Sequence, residues 1–126
     1  MREREFVEPS YPQMIADYLR SVADWRKRRA LEEPHELRHR QSAKQLDELA
    51  THVGAIDPED PRIQAIGRAT EEGEMIVPGP ILANAVARIG FFSTESSLDG
   101  LVTHMTELAL EDLGQAGRDP LRDLPF

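Results

Sequence analysis

Ser10-Tyr11-Pro12-Gln13-Met14-Ile15-Ala16-Asp17-Tyr18-Leu19-Arg20-Ser21-Val22-Ala23-Asp24-Trp25 opens the longest amphipathic run of the chain, which continues to about Glu33. Ser10 with Gln13 three residues on has the form of a capping box, and Pro12 suits a first turn, where its missing N–H is one that no helical carbonyl would take. Tyr11, Met14, Ile15, Tyr18, Val22 and Trp25 fall on one stripe, while Asp17, Arg20, Asp24 and Lys27 point elsewhere. A helix with one apolar stripe must bury it against another element, so the segments downstream decide the architecture.

Those segments are helical too. Pro34 separates the first helix from a second, expected from about His35 to Ile56 with Leu46, Leu49, Ala50, Val53 and Ile56 inward. Asp60 as cap and Pro61 in the first turn open a third, to about Glu72, with Ile63, Ile66 and Ala69 or Thr70 inward, and Gly73 stops it. Met75-Ile76-Val77 is the one β-like run and is expected as a short extended crossing that requires no sheet. Pro80 starts a fourth helix, ended by Gly90, whose Ile81, Leu82, Ala85, Val86 and Ile89 leave so little polar surface that it should be central. Ser93 to Ser97 caps a fifth through about Leu113, with Leu98, Leu101, Val102, Met105, Leu108, Ala109 and Leu113 as its stripe. The expectation is an all-α fold, a compact up-and-down bundle of four to five helices with extended N- and C-terminal arms. It forms a single domain over 1–126, with an N-terminal arm at 1–9, a helical core at 10–113 and a C-terminal arm at 114–126.

Composition agrees with a packed domain. At 126 residues, 40% hydrophobic and 30% charged, the chain is long enough for a real core and far from the composition of disordered segments. With no Cys there is neither a disulfide framework nor a thiolate metal site. Met1 to Glu5 alternate in charge and lead into no apolar stretch, which predicts no secretory signal and a cytoplasmic location. Met75 to Phe92 carries one charge, Arg88, but Pro78-Gly79-Pro80 splits it into pieces too short to span a bilayer.

His35-Glu36-Leu37-Arg38-His39 spells H-E-x-x-H. In the metalloprotease families that this string resembles, two imidazoles one helical turn apart hold zinc and the glutamate is general base on the metal-bound water. The resemblance covers five residues and implies a zinc-dependent hydrolase with His35 and His39 as ligands and Glu36 as base. Those families set the motif inside a helix with mostly uncharged flanks and a third ligand downstream. Here Pro34 precedes it, Arg38 fills an x position, Arg40 follows, and Glu48, His52 and Glu59 stand at no recognisable spacing. On a helical wheel His35 and His39 lie within about 20° of Leu46 and Val53. They are therefore read as two partly buried histidines near a helix start, hydrogen-bonded to carboxylates of the first helix.

Trp25-Arg26-Lys27-Arg28-Arg29, with Arg38, Arg40 and Lys44, makes a cationic region over 26–44, interrupted by Glu32, Glu33 and Glu36. It is a candidate binding surface for an anionic partner, on which Trp25 would stack. The simpler reading is a helix C-terminus complementing its own dipole beside a core Trp. The net charge of −8 argues against nucleic acid, and the third and fourth helices do not suit a helix-turn-helix.

What remains is a surplus of apolar side chains. The fourth helix is nearly apolar all round, and Phe6, Leu121, Leu124 and Phe126 are spaced along the two arms. A homodimer would bury what one small bundle leaves out. The sequence thus reads as a non-catalytic helical protein acting through protein association, with Arg26, Arg28, Arg29, Phe6, Leu121, Leu124 and Phe126 as candidate interaction residues and no cofactor unless zinc.

Overall fold

The computed structural model describes residues 9–91 and 97–117, with side chains described as far as Gly114. Within them lie five helices: α1 (Tyr11–Glu32), α2 (Arg38–Gly54), α3 (Pro61–Thr70), α4 (Pro80–Arg88) and α5 (Leu98–Gly117). The all-α bundle is the fold. None of these helices is long and apolar enough to cross a membrane. Phe6, Leu121, Leu124 and Phe126, like Ser93 to Ser96, lie outside the described residues.

The capping chemistry sets the helix starts. Ser10 and Gln13 form the full capping box on α1, and Asp60 accepts from the backbone N–H of Arg62 at 2.8 Å to begin α3. Ser97 Oγ accepts from Gly100 N–H at 2.9 Å in the first turn of α5. Helix α4 lacks a side-chain cap of its own; Asp112 of α5 supplies one, its two carboxylate oxygens taking the N–H groups of Ile81 and Leu82 at 2.9 and 2.8 Å. Helix α5 continues past the expected stop at Gly114, since a glycine in right-handed conformation costs a helix only about 1 kcal/mol and does not end it.

Helices α1 and α2 run antiparallel: Ala16 lies beside Gly54 at one end, and Arg26 reaches His39 at the other. Ile15, Leu19 and Ala23 of α1 meet Leu46, Leu49, Ala50 and Val53 of α2, and Ile63, Ile66, Leu82, Val86, Val102 and Met105 complete the same core. The fourth helix is not its centre. Only Leu82 and Val86 of α4 are buried, because α4 is nine residues long and lies mainly along α5, leaving Ile81 and Ala85 part-exposed.

Between α3 and α4 the chain does form a minimal sheet. Strands β1 (Glu71–Glu72) and β2 (Met75–Ile76) pair antiparallel across a turn in which Gly73 has φ 64. Gly73 therefore serves a hairpin instead of stopping a helix at Glu72. Tyr11 of α1 donates its phenol proton to Glu71 at 2.8 Å, which fixes the hairpin against the start of α1.

Candidate functional site

The 35–39 string and the Trp25–Arg29 stretch lie at one end of the bundle, where α1 finishes, α2 begins and the turn after α4 closes over both. Helix α1 ends at Glu32 because Glu33 leaves helical geometry (φ −128, ψ 69) ahead of Pro34. Helix α2 starts only at Arg38, three residues later than expected. Residues 33–37 form turns instead, with Glu36 N–H bonded to Glu33 C=O at 3.0 Å.

That shift separates the two histidines. His35 is exposed in the turn, whereas His39 is 3% exposed in the first turn of α2. Glu36, between them, is engaged by Arg38: its carboxylate accepts from Nε and Nη2 of the guanidinium at 2.8 Å and from the backbone N–H of Arg38 at 3.2 Å. The Arg38 guanidinium, followed by that N–H, holds the Glu36 carboxyl down at about 2. A carboxylate so acidic and so occupied is a poor general base near neutral pH. It works instead as a local cap, satisfying an N–H at the start of α2 that no helical carbonyl can reach.

Both nitrogens of His39 are also occupied. Arg26 Nη1 meets Nδ1 at 3.0 Å, and Glu33 Oε1 meets Nε2 at 2.7 Å. Arginine can only donate and carboxylate only accept, so Nδ1 is the acceptor and Nε2 carries the proton. The Glu33 carboxyl lies below its ordinary value, through this bond first and then through Arg29. Of the two histidines expected to bond carboxylates of the first helix, His39 does so to Glu33, the residue just past the end of α1, and His35 does not. His52 is thirteen residues further along α2, about 20 Å by helical rise, and so cannot meet His39 on one ion. Among the described residues no three His, Asp or Glu side chains are grouped to hold a metal.

Arg26 is the largest departure from expectation. The sequence places Arg26 on an exposed cationic surface and Trp25 in the core, whereas in the fold Arg26 is 7% exposed and Trp25 38%. The inward face of α1 passes through Ile15, Leu19, Ala23, Arg26 and Ala30, one residue round from the expected stripe. Arg26 Nη2 donates to the carbonyl of Ala87 at 2.6 Å, and its guanidinium lies 4.2 Å from the ring of Phe91 and 4.6 Å from that of Trp25. Burial, the leading effect, and the nearby charge of Arg29 lower its pKa. Among the described residues no carboxylate reaches it directly, and its charge is balanced at one remove, through His39 to Glu33.

Phe91, which sequence reasoning passed over, organises this end. Arg26, Arg38 at 4.4 Å and the imidazole of His39 at 5.2 Å surround its ring. It is brought there by Gly90, whose φ of 75 suits glycine and whose missing side chain lets the turn lie against Ser42; an added Cβ would sit 2.9 Å from Ser42 Cα. Ser42, fully buried, donates to the carbonyl of Ile89 at 2.5 Å and ties the turn to α2.

The rest of the basic region is largely paired. Arg29 bonds Glu32 at 2.7 Å and Glu33 at 2.9 Å, and Lys27 meets Asp47 at 3.0 Å and Asp24 at 3.7 Å. Arg28 and Arg40 are exposed and make no ion pair among the described residues. Beside this region α1 and α2 border an open groove of about 510 Å³, lined by Ala30, Leu31, Ala43 and charged residues of both helices. Leu31 is 82% exposed there. Compared with family models, with curated proteins and with solved structures, the chain matches none of them.

Proposed function

We propose that this protein is a non-catalytic helical module that works by protein association, in the first place with a second copy of itself. The observation that carries the reading is Leu31, a large apolar side chain left 82% exposed on the rim of an open groove in which Ala30 and Ala43 leave room among charged side chains. Isolated exposed leucines are ordinary, but one on the rim of an open groove offers apolar surface that a partner seated there would cover. Trp25 and Leu37 add exposed apolar surface near the same end of α1 and start of α2. The polar cluster beneath, in contrast, is largely engaged internally: Arg26, His39, Glu33 and Glu36 bond to one another, to Arg38 or to neighbouring backbone, and Nε of Arg26 is buried without a partner among the described residues.

Light scattering across a concentration series tests the reading. The expected result is a mass that climbs from 14.2 kDa toward twice that value as concentration rises. A mass fixed at that of one chain over the whole series would refute self-association.

A further inference from the structure

Resting on that reading, we infer that two copies pair through the α1–α2 groove about a two-fold axis, with their α2 helices antiparallel. Arg40, Ala43, Lys44, Asp47 and Glu48 are spaced at zero, three, four, seven and eight along α2 and so share one face. That face is basic in its first half, where Ala43 lies between Arg40 and Lys44, and acidic in its second. Antiparallel pairing brings Arg40 and Lys44 of one protomer toward Asp47 and Glu48 of its partner, and also opposes the two helix dipoles. Parallel pairing would set like charge on like. A two-fold interface must be complementary to itself, and a stripe whose charge reverses along its length has that property.

The exposed apolar side chain lies at the same groove: Leu31 stands on its rim, so a partner seated on this face of α2 would cover part of it. The rim charges are free to change partners. Lys44 meets Glu48 only at 3.9 Å, Lys27 meets Asp47 at 3.0 Å, all four side chains are well exposed, and Arg40 has no ion pair among the described residues. Exposed pairs of this kind contribute little within one chain, so exchanging them across an interface costs little. A uniformly anionic partner is the poorer occupant, because it would meet Asp47 and Glu48 inside the same groove.

Charge reversal and mixing test the pairing, with circular dichroism confirming unchanged helix content for each variant. Lys44→Glu leaves Arg40 as the one basic residue of this α2 face, and Glu48→Lys leaves Asp47 as its one acidic residue. Each variant alone should dimerise at least about tenfold more weakly than the parent chain, since every reversed residue acts twice in a two-fold interface. An equimolar mixture of the two should form a heterodimer near parental affinity. Leu31→Asp should abolish pairing, while Leu113→Asp, on exposed surface of α5, should leave it unchanged. A parent chain that stays monomeric overturns both the association reading and this interface. A parent dimer indifferent to Leu31→Asp and to both charge reversals, or lost in Leu113→Asp alone, overturns this interface while association stands.

Discussion

The guanidinium of Arg26 fixes the tautomer of His39. The bond between them spans 3.0 Å and thirteen residues of sequence, and it leaves the Nε2 proton of His39 for Glu33. A buried cation is thereby connected to a surface carboxylate through one neutral ring, so the end of α1, the start of α2 and the turn at Phe91 are joined by a single polar chain. Such a network is costly to interrupt at its inner end, because Arg26 and His39 are both buried and the loss of either leaves the other unsatisfied.

The first prediction concerns that chain. Arg26→Ala strands Nδ1 of His39 and the carbonyl of Ala87 and opens space beside Phe91, and should lower stability by about 3 kcal/mol. His39→Ala should cost about 2 kcal/mol, and the double variant should cost less than the sum by about 1 to 2 kcal/mol, the sign of a shared interaction. Arg28→Ala, on the exposed side of α1, should change stability little. Urea denaturation of the four variants measures all of this; strict additivity of Arg26 and His39 would show that the bond between them carries no energy.

The second prediction concerns zinc. A metal on His39 would have to displace Arg26 or Glu33, and Glu36 would have to leave the two guanidinium nitrogens and the backbone N–H of Arg38. Protein purified without a metal-affinity tag is therefore expected to show no stoichiometric zinc by elemental analysis, and a strong chelator should leave its thermal midpoint in place. One zinc per chain, lost in His39→Ala, is the result that would restore the hydrolase reading.

How much of this was legible from residues alone varies by element. Capping showed the helix starts well at Ser10, Asp60 and Pro80, because those signals are local and stereochemical. The second helix was placed three residues early, since Pro34 suits a first turn as well as a connection, and nothing nearby announces that Glu36 will cap Arg38. Arg26 carries a charge that points to the surface and a spacing that points inward: Ile15, Leu19, Ala23 and Ala30 step through it at fours and threes, and that periodicity is the signal the fold obeys. Phe91 and Ser42 could not be found this way. Their roles depend on a turn brought back across the start of α2 from about fifty residues away along the chain.

The third prediction is alkaline. Burial pushes the phenol of Tyr18 up to about 12, and the phenol of Tyr11 is raised by its bond to the Glu71 carboxylate and then by burial. A raised pKa means that the folded state holds its proton more tightly than the unfolded chain does. The stability linked to Tyr18 is therefore complete below the ordinary tyrosine value of 10.0 and drains away as pH climbs toward about 12. Absorbance titration of the native protein should show neither tyrosine ionising at the ordinary midpoint, and both doing so in concentrated urea. Tyr18→Phe should move alkaline unfolding to higher pH, and a native titration centred at the ordinary value would contradict the burial of this side chain.

The last prediction tests how α3 is seated. The ring of Tyr11 occupies the space a side chain on Gly67 would need: a Cβ built there would fall on three of its ring carbons. Gly67 lies inside α3, where alanine is intrinsically better by about 1 kcal/mol, so propensity alone would make Gly67→Ala stabilising. Packing should win. Tyr11 opens α1, accepts little displacement while bonded to Glu71, and overpacking of this kind costs about 1 to 3 kcal/mol. Gly67→Ala is thus expected to lower the thermal midpoint, and Tyr11→Ala in the same chain to reverse the sign of the glycine substitution, because removing the ring leaves only the helix preference. Thermal unfolding of the single and double variants decides it, and a Gly67→Ala protein that melts above the parent would show that Tyr11 does not lie on α3.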